Sequence, residues 1–151
     1  MVRFVRGDIF NADVGALVNP VNTVGVMGRG LALQFKKRYP RNYELYRQGC
    51  KAGELVVGRV FVTETEEGDC PRYIVNFPTK KHWRSPSRIE YVEAGLEDLA
   101  TKIRDLSIES IAVPSLGAGL GGLAWPDVRD RIEAALGGLD GVEVAVYEPH
   151  E

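Results

Sequence analysis

The groups in this chain that could do chemistry fall in three loops. The first is Asn19-Pro-Val-Asn-Thr-Val-Gly-Val-Met-Gly-Arg-Gly-Leu-Ala32. Here Asn19 and Asn22 leave a buried apolar run, and Gly25, Gly28 and Gly30 precede an apolar helical pattern beginning at Leu31. Glycine admits positive φ and lets a ligand approach the backbone closely, and the first turn of a helix offers unpaired N–H groups to an anion. The physical reading is a phosphate cradle; a plain strand-to-helix connection with turn glycines fits the same residues equally well. No Gly-Lys-Ser/Thr occurs, so this is not a P-loop, and the glycine spacing is not that of the usual dinucleotide fingerprint. The second loop, Ser115-Leu-Gly-Ala-Gly-Leu-Gly-Gly122, places four glycines between a short apolar run and a helical pattern. If the two glycine loops face each other, their N–H groups clamp a diphosphate from both sides. A flexible connection is the alternative.

The third loop, Phe77-Pro-Thr-Lys-Lys-His-Trp-Arg-Ser-Pro86, holds Lys80, Lys81, His82, Trp83 and Arg84. Lysines usually keep their ammonium groups in water, which makes an exposed charge pair the ordinary reading of Lys80 and Lys81. At the carboxyl end of a strand, opposite two phosphate loops, Lys80 is instead placed to face whatever those loops hold. An amine can attack an electrophilic carbon, or can move a proton as its ammonium. Cations with an interleaved aromatic also suit single-stranded nucleic acid, phosphates meeting charge and a base meeting the ring. A solvated basic loop with Trp83 tucked against the surface explains the composition as well. Lys36, Lys37, Arg38 and Arg41 form another basic run, read here as the wet face of a helix.

These loops need elements to hold them. Val2–Val5 reads as a first strand ending at Gly7-Asp8-Ile9-Phe10, and Ala16–Asn19 as a second strand leading into the first glycine loop. A helix is expected over Gly30–Arg38, stopped before Pro40, and another over Asn42–Gly49 with Tyr43, Leu45 and Tyr46 near one face. Arg59–Glu64 and Tyr73–Phe77, joined by a polar turn around Gly68-Asp69, read as paired strands. Ser87-Arg-Ile-Glu90 has the form of a capping box, opening a helix whose Ile89, Val92, Leu96, Leu99, Ile103 and Leu106 recur at helical spacing. Ile111–Val113 is a short buried strand. Trp125-Pro126 starts a helix with proline in the favoured first turn, ending near Gly137-Gly138, and Val142–Tyr147 is a last strand. Alternating strands and helices imply a three-layer α/β/α sandwich around a central mixed, largely parallel sheet. Ligands bind such sheets beyond the strands' carboxyl ends, where all three loops fall.

At 151 residues the chain is expected to form one domain, burying roughly two-thirds of its unfolded surface. A net charge of −2 gives no global attraction to polyanions, so any such binding must be local. Cys50 and Cys70 are too few and isolated for a metal site or disulfide framework and read as ordinary buried or half-buried thiols. No His, Cys or carboxylate cluster offers metal ligands, and no metal or cofactor is expected. The amino terminus lacks the apolar stretch of a signal peptide, and no run of roughly 18 apolar residues suggests a membrane span. The cytoplasm is the default compartment, with no membrane partner. His150 is assigned nothing.

In their order, Gly7-Asp8-Ile9, Asn19-Pro-Val-Asn22, the loop to Gly30 and Pro114-Ser-Leu-Gly-Ala-Gly-Leu-Gly121 resemble the macrodomain family over essentially the whole chain. The resemblance implies an ADP-ribose site. In it Asp8 would accept a hydrogen bond from the adenine amino group beside the Gly7 and Ile9 backbone, although a turn-start carboxylate explains Asp8 equally simply. Tyr147 would help wall the adenine, or belong to the core. Asn22 would bind the distal ribose hydroxyls at the catalytic end, or bond its own loop. Asn19, Val26, Met27, Gly28, Arg29 and Gly30 would surround the phosphates and distal ribose from one side. Ser115, Leu116, Gly117, Ala118, Gly119, Leu120 and Gly121 would do so from the other, with Thr79 beside them.

The 80s loop together with Val26–Ala32 is similar to the branch of the terminal ADP-ribose glycohydrolases and DarG-type antitoxins, which remove ADP-ribose from DNA. That implies a catalytic lysine at Lys80 and DNA contacts from Lys81, His82, Trp83 and Arg84. It also implies ADP-ribosylated single-stranded DNA, most often at thymine, as substrate. A cognate DarT-type toxin would be met through a further region of such antitoxins that has no counterpart here. One departure stands out: human-type members carry an aspartate where this chain has Gly121. Removal from glutamyl side chains is correspondingly less favoured than removal from a base. A hydrolase of ADP-ribosylated proteins and a non-catalytic ADP-ribose reader are the rival functions.

Overall fold

The computed structural model describes residues 1–66 and 70–149, and the backbone alone at Leu120. The turn at Gly68-Asp69 and His150 lie outside the described residues. Six strands form one sheet: β1 (Val2–Val5), β2 (Ala16–Val21), β3 (Phe61–Glu64), β4 (Tyr73–Pro78), β5 (Ser110–Val113) and β6 (Glu143–Tyr147). Four helices cover it: α1 (Gly30–Arg38), α2 (Pro40–Lys51), α3 (Ile89–Asp105) and α4 (Trp125–Leu136). The strand order is β1-β6-β5-β2-β4-β3, parallel throughout except for the antiparallel edge pair β3–β4. The carboxyl ends of five strands therefore share one edge of the sheet.

Strand alternation sorts the core into two sides. Ala16, Val18, Val75 and Phe77 join the α3 and α4 stripe of Val92, Leu96, Leu99, Ile103, Val128 and Ile132. On the other side Leu17 and Ile74 pack with Phe35 of α1, and Val21 with Tyr46 of α2. These are the helix–sheet–helix layers the alternating pattern implies.

Several local expectations are corrected. α2 begins at Pro40, since a first-turn proline has no N–H to leave unpaired, and its buried face is Asn42, Tyr46 and Gly49. β3 begins at Phe61 and not at Arg59. No capping box forms: α3 starts at Ile89 with Arg88 as its cap residue and no side-chain cap bond. Ser87 is drawn away instead, its N–H donating to Gly121 O at 3.0 Å. Cys70 is exposed, whereas Cys50 is half-buried and its thiol pKa is raised by burial.

The most consequential difference is in β2, which runs on through Asn19 to Val21. It stays paired with β4 to its end, Val21 opposite Pro78, but with β5 only at Ala16 and Leu17. Pro20 falls where the β5 side has already let go, a place where a missing ladder donor is tolerated. Beyond Leu17 the two central strands part, and the space between them is the cleft described below.

The α3 helix approaches β4 so closely that Gly95 has no room for a side chain, a Cβ there meeting Phe77 Cζ and lying 2.7 Å from Phe77 Cε1. Overpacking of this kind costs about 1–3 kcal/mol. Gly95→Ala is expected to lower stability by that amount in urea denaturation, and an unchanged midpoint would contradict this packing.

Candidate functional site

A cleft of about 890 Å³ opens at the carboxyl edge of the sheet, and all three loops line it. From the first come Asn22, Val26, Gly28, Arg29 and Gly30; from the third Thr79, Lys80, Trp83 and Arg84; from the second Ser115, Leu116, Gly117, Ala118 and Gly121. Pro20 and Val21 from the end of β2 and Pro114 after β5 also line it. Among the described residues the lining holds the cations Arg29, Lys80 and Arg84 and no carboxylate. The size is that of a nucleotide-scale ligand pocket, and its charge favours an anion.

The α1 helix starts at Gly30, where φ is +61°, and Arg29 provides no side-chain cap. Arg29, Gly30, Leu31 and Ala32 line the cleft, so the uncapped first turn borders it. That is the arrangement in which helix N–H groups meet phosphate oxygens. Opposite, Gly117, Gly119 and Gly122 have φ of +79°, +75° and +86°, a backbone that L side chains rarely adopt.

Asn22 braces its own loop. Its Nδ2 donates to Val26 O at 2.8 Å, and its Oδ1 accepts from the N–H groups of Val24 and Val26 at 3.1 and 3.4 Å. The fully buried Tyr46 donates its hydroxyl to Asn22 Oδ1 at 2.8 Å and lies 2.9 Å from Asn22 O. Burial, reinforced by Cys50, pushes the Tyr46 pKa well above the phenol range, keeping it a donor. The self-bonding reading of Asn22 is thus realised, on a residue that also lines the cleft.

Beneath this loop lies a polar layer that sequence reasoning missed. Asn76 Oδ1 accepts from Asn19 Nδ2 at 3.2 Å and from Asn42 Nδ2 at 3.1 Å. Asn76 Nδ2 donates to Asn42 Oδ1 at 2.8 Å and to Phe61 O at 3.1 Å, and Thr63 Oγ1 donates to Asn42 Oδ1 at 2.6 Å. The one available signal was Asn76, an amide in the middle of the otherwise apolar Tyr73–Phe77. Asn19 and Met27 belong here too, at 0% and 1% exposure and joined by an Asn19 Nδ2 to Met27 Sδ contact of 3.8 Å. Their side chains support the loop from below and are not part of the described cleft lining.

The third loop is pinned to the first. Thr23 donates to Lys81 O through its backbone at 3.1 Å and its hydroxyl at 2.7 Å, and Thr79 N–H donates to Val21 O at 2.9 Å. Lys80 is thereby carried on a fixed strap, half-buried at the cleft wall, while Lys81 is exposed. Trp83 is 43% exposed, with the Arg84 guanidinium 4.5 Å from its ring and the His82 ring 5.0 Å away. Arg84 N–H donates to His82 Nδ1 at 3.1 Å, which makes that nitrogen an acceptor. This is an aromatic platform with cationic neighbours, and it borders the cleft through Trp83 and Arg84.

The residues expected at the adenine end lie outside this lining. Asp8 caps a short 3-10 turn, accepting from Phe10 N–H at 3.0 Å, and both it and Gly7 are exposed. Ile9 is buried with Val14, Leu17 and Phe35, and Tyr147 packs partly buried against that cluster. Gly119 and the Leu120 backbone form part of a second 3-10 turn, of which Gly121 alone is in the described cleft lining.

A family model described as Macro domain matches residues 18–132. The DNA ADP-ribosyl glycohydrolase of Thermus aquaticus is 60% identical over 151 residues, covering 100% of this chain and 42% of that protein. The chain thus spans about two-fifths of the length of that relative. The solved macrodomain of Thermus aquaticus DarG superposes with a TM-score of 0.96 at 60% identity, covering 99% of each chain. The structure of Thermosipho africanus DarTG in complex with ADP-ribose superposes with a TM-score of 0.90 at 35% identity, covering 98% of this chain and 41% of that one. Among the described residues, no helix is long and apolar enough to cross a membrane.

Removing the Tyr46 hydroxyl strips Asn22 of a buried donor. Tyr46→Phe is expected to cost about 1–2 kcal/mol in urea denaturation by loosening the loop that Asn22 braces. An unchanged midpoint would break the link from Tyr46 to the Asn22 loop.

Proposed function

Since the chain belongs to the macrodomain family, we propose that it removes ADP-ribose from DNA bases, most often thymine in a single strand. The carrying observation is Lys80, fixed on its strap in a cleft whose described lining holds Arg29, Lys80 and Arg84 and no carboxylate. The name of the Thermus aquaticus relative supports the same activity. In this reading the cleft holds the diphosphate and distal ribose, between the uncapped start of α1 and the second glycine loop. Asp8, Ile9 and Tyr147 serve the adenine beyond it. Lys81, His82, Trp83 and Arg84 receive the strand that carries the modified base. The protein acts in the cytoplasm as antitoxin to a DarT-type transferase, which it meets through a part of such proteins outside this sequence.

Hydrolysis breaks the bond between the anomeric carbon of the distal ribose and the base nitrogen. Water supplies the hydroxyl that the sugar keeps and the proton that the base takes back, so neither metal nor cofactor enters the reading. Among the described lining residues, Lys80 is the amine suited to either catalytic role, nucleophile or proton carrier. Cyanoborohydride separates the two, because an imine to Lys80 is reduced to a stable adduct seen by mass spectrometry and a proton carrier leaves none. Asn22 holds the loop that faces the sugar.

The test is a single-stranded oligonucleotide bearing ADP-ribose on thymine. The wild type should release it, and Lys80→Ala should bind ADP-ribose while losing roughly 10²- to 10⁴-fold in rate, the usual scale for an acid–base group. Full activity in the variant would remove Lys80 from the mechanism. Binding without turnover by the wild type would favour a reader, and turnover of modified protein alone a protein hydrolase. Trp83→Ala should raise KM for the oligonucleotide about fivefold or more, from stacking of about 1–3 kcal/mol per base, and leave ADP-ribose affinity unchanged. Equal loss on both ligands would place Trp83 in the ADP-ribose site instead.

A further inference from the structure

Ser87 has a hydroxyl that the fold does not use. The residue is 5% exposed, and its Oγ has no hydrogen-bond partner among the described residues. Only its backbone is engaged, through the N–H bond to Gly121 O. The side chain is pressed against the second glycine loop: a Cβ on Gly121 would lie 2.5 Å from Ser87 Oγ, and one on Gly117 3.3 Å from it. Ser87, Gly117 and Gly121 all line the cleft.

A buried hydroxyl without a partner costs about 1–3 kcal/mol, and folded proteins keep few such groups without a reason. Alanine would fill the same space without that cost. Two other buried polar atoms lack a partner, Asn19 Oδ1 and Arg47 Nε, but their residues are not part of the cleft lining. Among the described residues, Ser87 alone combines an unused donor with a place in the wall. The two glycines beside it present no side chain, so no side chain of theirs stands between its hydroxyl and the cleft that all three residues line.

We infer that Ser87 Oγ is a ligand contact, donating its proton between Gly117 and Gly121 to an oxygen of the bound ADP-ribose. The acceptor is a diphosphate oxygen or a distal ribose hydroxyl, both oxygen acceptors of the same reach. Ser87 adds a neutral, directional donor to a site where Arg29, Lys80 and Arg84 supply charge. It also accounts for glycine at position 121, since any side chain there would displace the hydroxyl. The inference rests on the ADP-ribose reading of the cleft.

Ser87→Ala separates a ligand contact from a structural one. The ligand-free variant should melt at or slightly above the wild type, having lost an unsatisfied polar group, while its ADP-ribose affinity by calorimetry falls about three- to tenfold. Titration with ADP, which lacks the distal ribose, assigns the acceptor. A matching loss for ADP points to the diphosphate, and a loss for ADP-ribose alone points to the ribose. A variant that binds ADP-ribose within twofold of the wild type overturns the inference, as does one whose melting point drops while affinity holds. If the wild type itself fails to bind ADP-ribose, the reading of the cleft fails with it, an outcome recognisable without the variant.

Discussion

Strand β2 has two neighbours at Leu17 and one at Val21. Everything at the functional edge follows from that loss. A parallel sheet whose central strands stayed paired to their ends would close over the space now lined by Pro20, Val21 and Pro114. Because β5 stops at Val113 while β2 continues beside β4, the loops after the two strands leave at different heights and on opposite sides of a gap. The gap needs support from below, since a backbone freed from its ladder still has polar groups to satisfy. The amide layer of Asn19, Asn42 and Asn76 and the Tyr46–Asn22 bond occupy the α1/α2 side of this region.

The electrostatics reverse the global balance. A chain of net charge −2 concentrates Arg29, Lys80 and Arg84 on one cleft and keeps carboxylates out of its described lining. The basic run on α1 is spent differently: Lys36 lies 4.6 Å from the Tyr43 ring and Arg38 4.3 Å from that of Phe10, as long cationic side chains cover apolar surface while keeping their heads wet. A local field inside a low-dielectric recess acts on an anion more strongly than the same charges on an open face.

The layers were legible in the sequence because their cause is local and periodic. The α3 stripe from Val92 to Ile103 and the limits of α1 need only helix spacing and a following proline. Convergence of the three loops was legible from topology, as strand carboxyl ends in a parallel sheet share an edge. What the sequence concealed depends on contacts distant along the chain. Ser87 fits a capping box by its neighbours, but its backbone bond goes to Gly121 and takes it off the helix. Asn42 and Asn76 are 34 residues apart and meet only after β4 and α2 pack. Asn19 and Met27, set among glycines and polar residues, look like loop surface until β2 extends beneath them.

The double bond from Thr23 to Lys81 O gives the cleft unequal walls. One side consists of the first and third loops fastened together, with Tyr46 and the amide layer behind them. The other is the glycine turn, held by its own backbone bonds such as Gly122 N–H to Gly119 O at 3.0 Å and by the single bond from Ser87. The cleft is consequently asymmetric in how it is held: one wall is cross-braced to β2, α2 and the third loop, and the other is a turn whose hydrogen bonds are mostly its own.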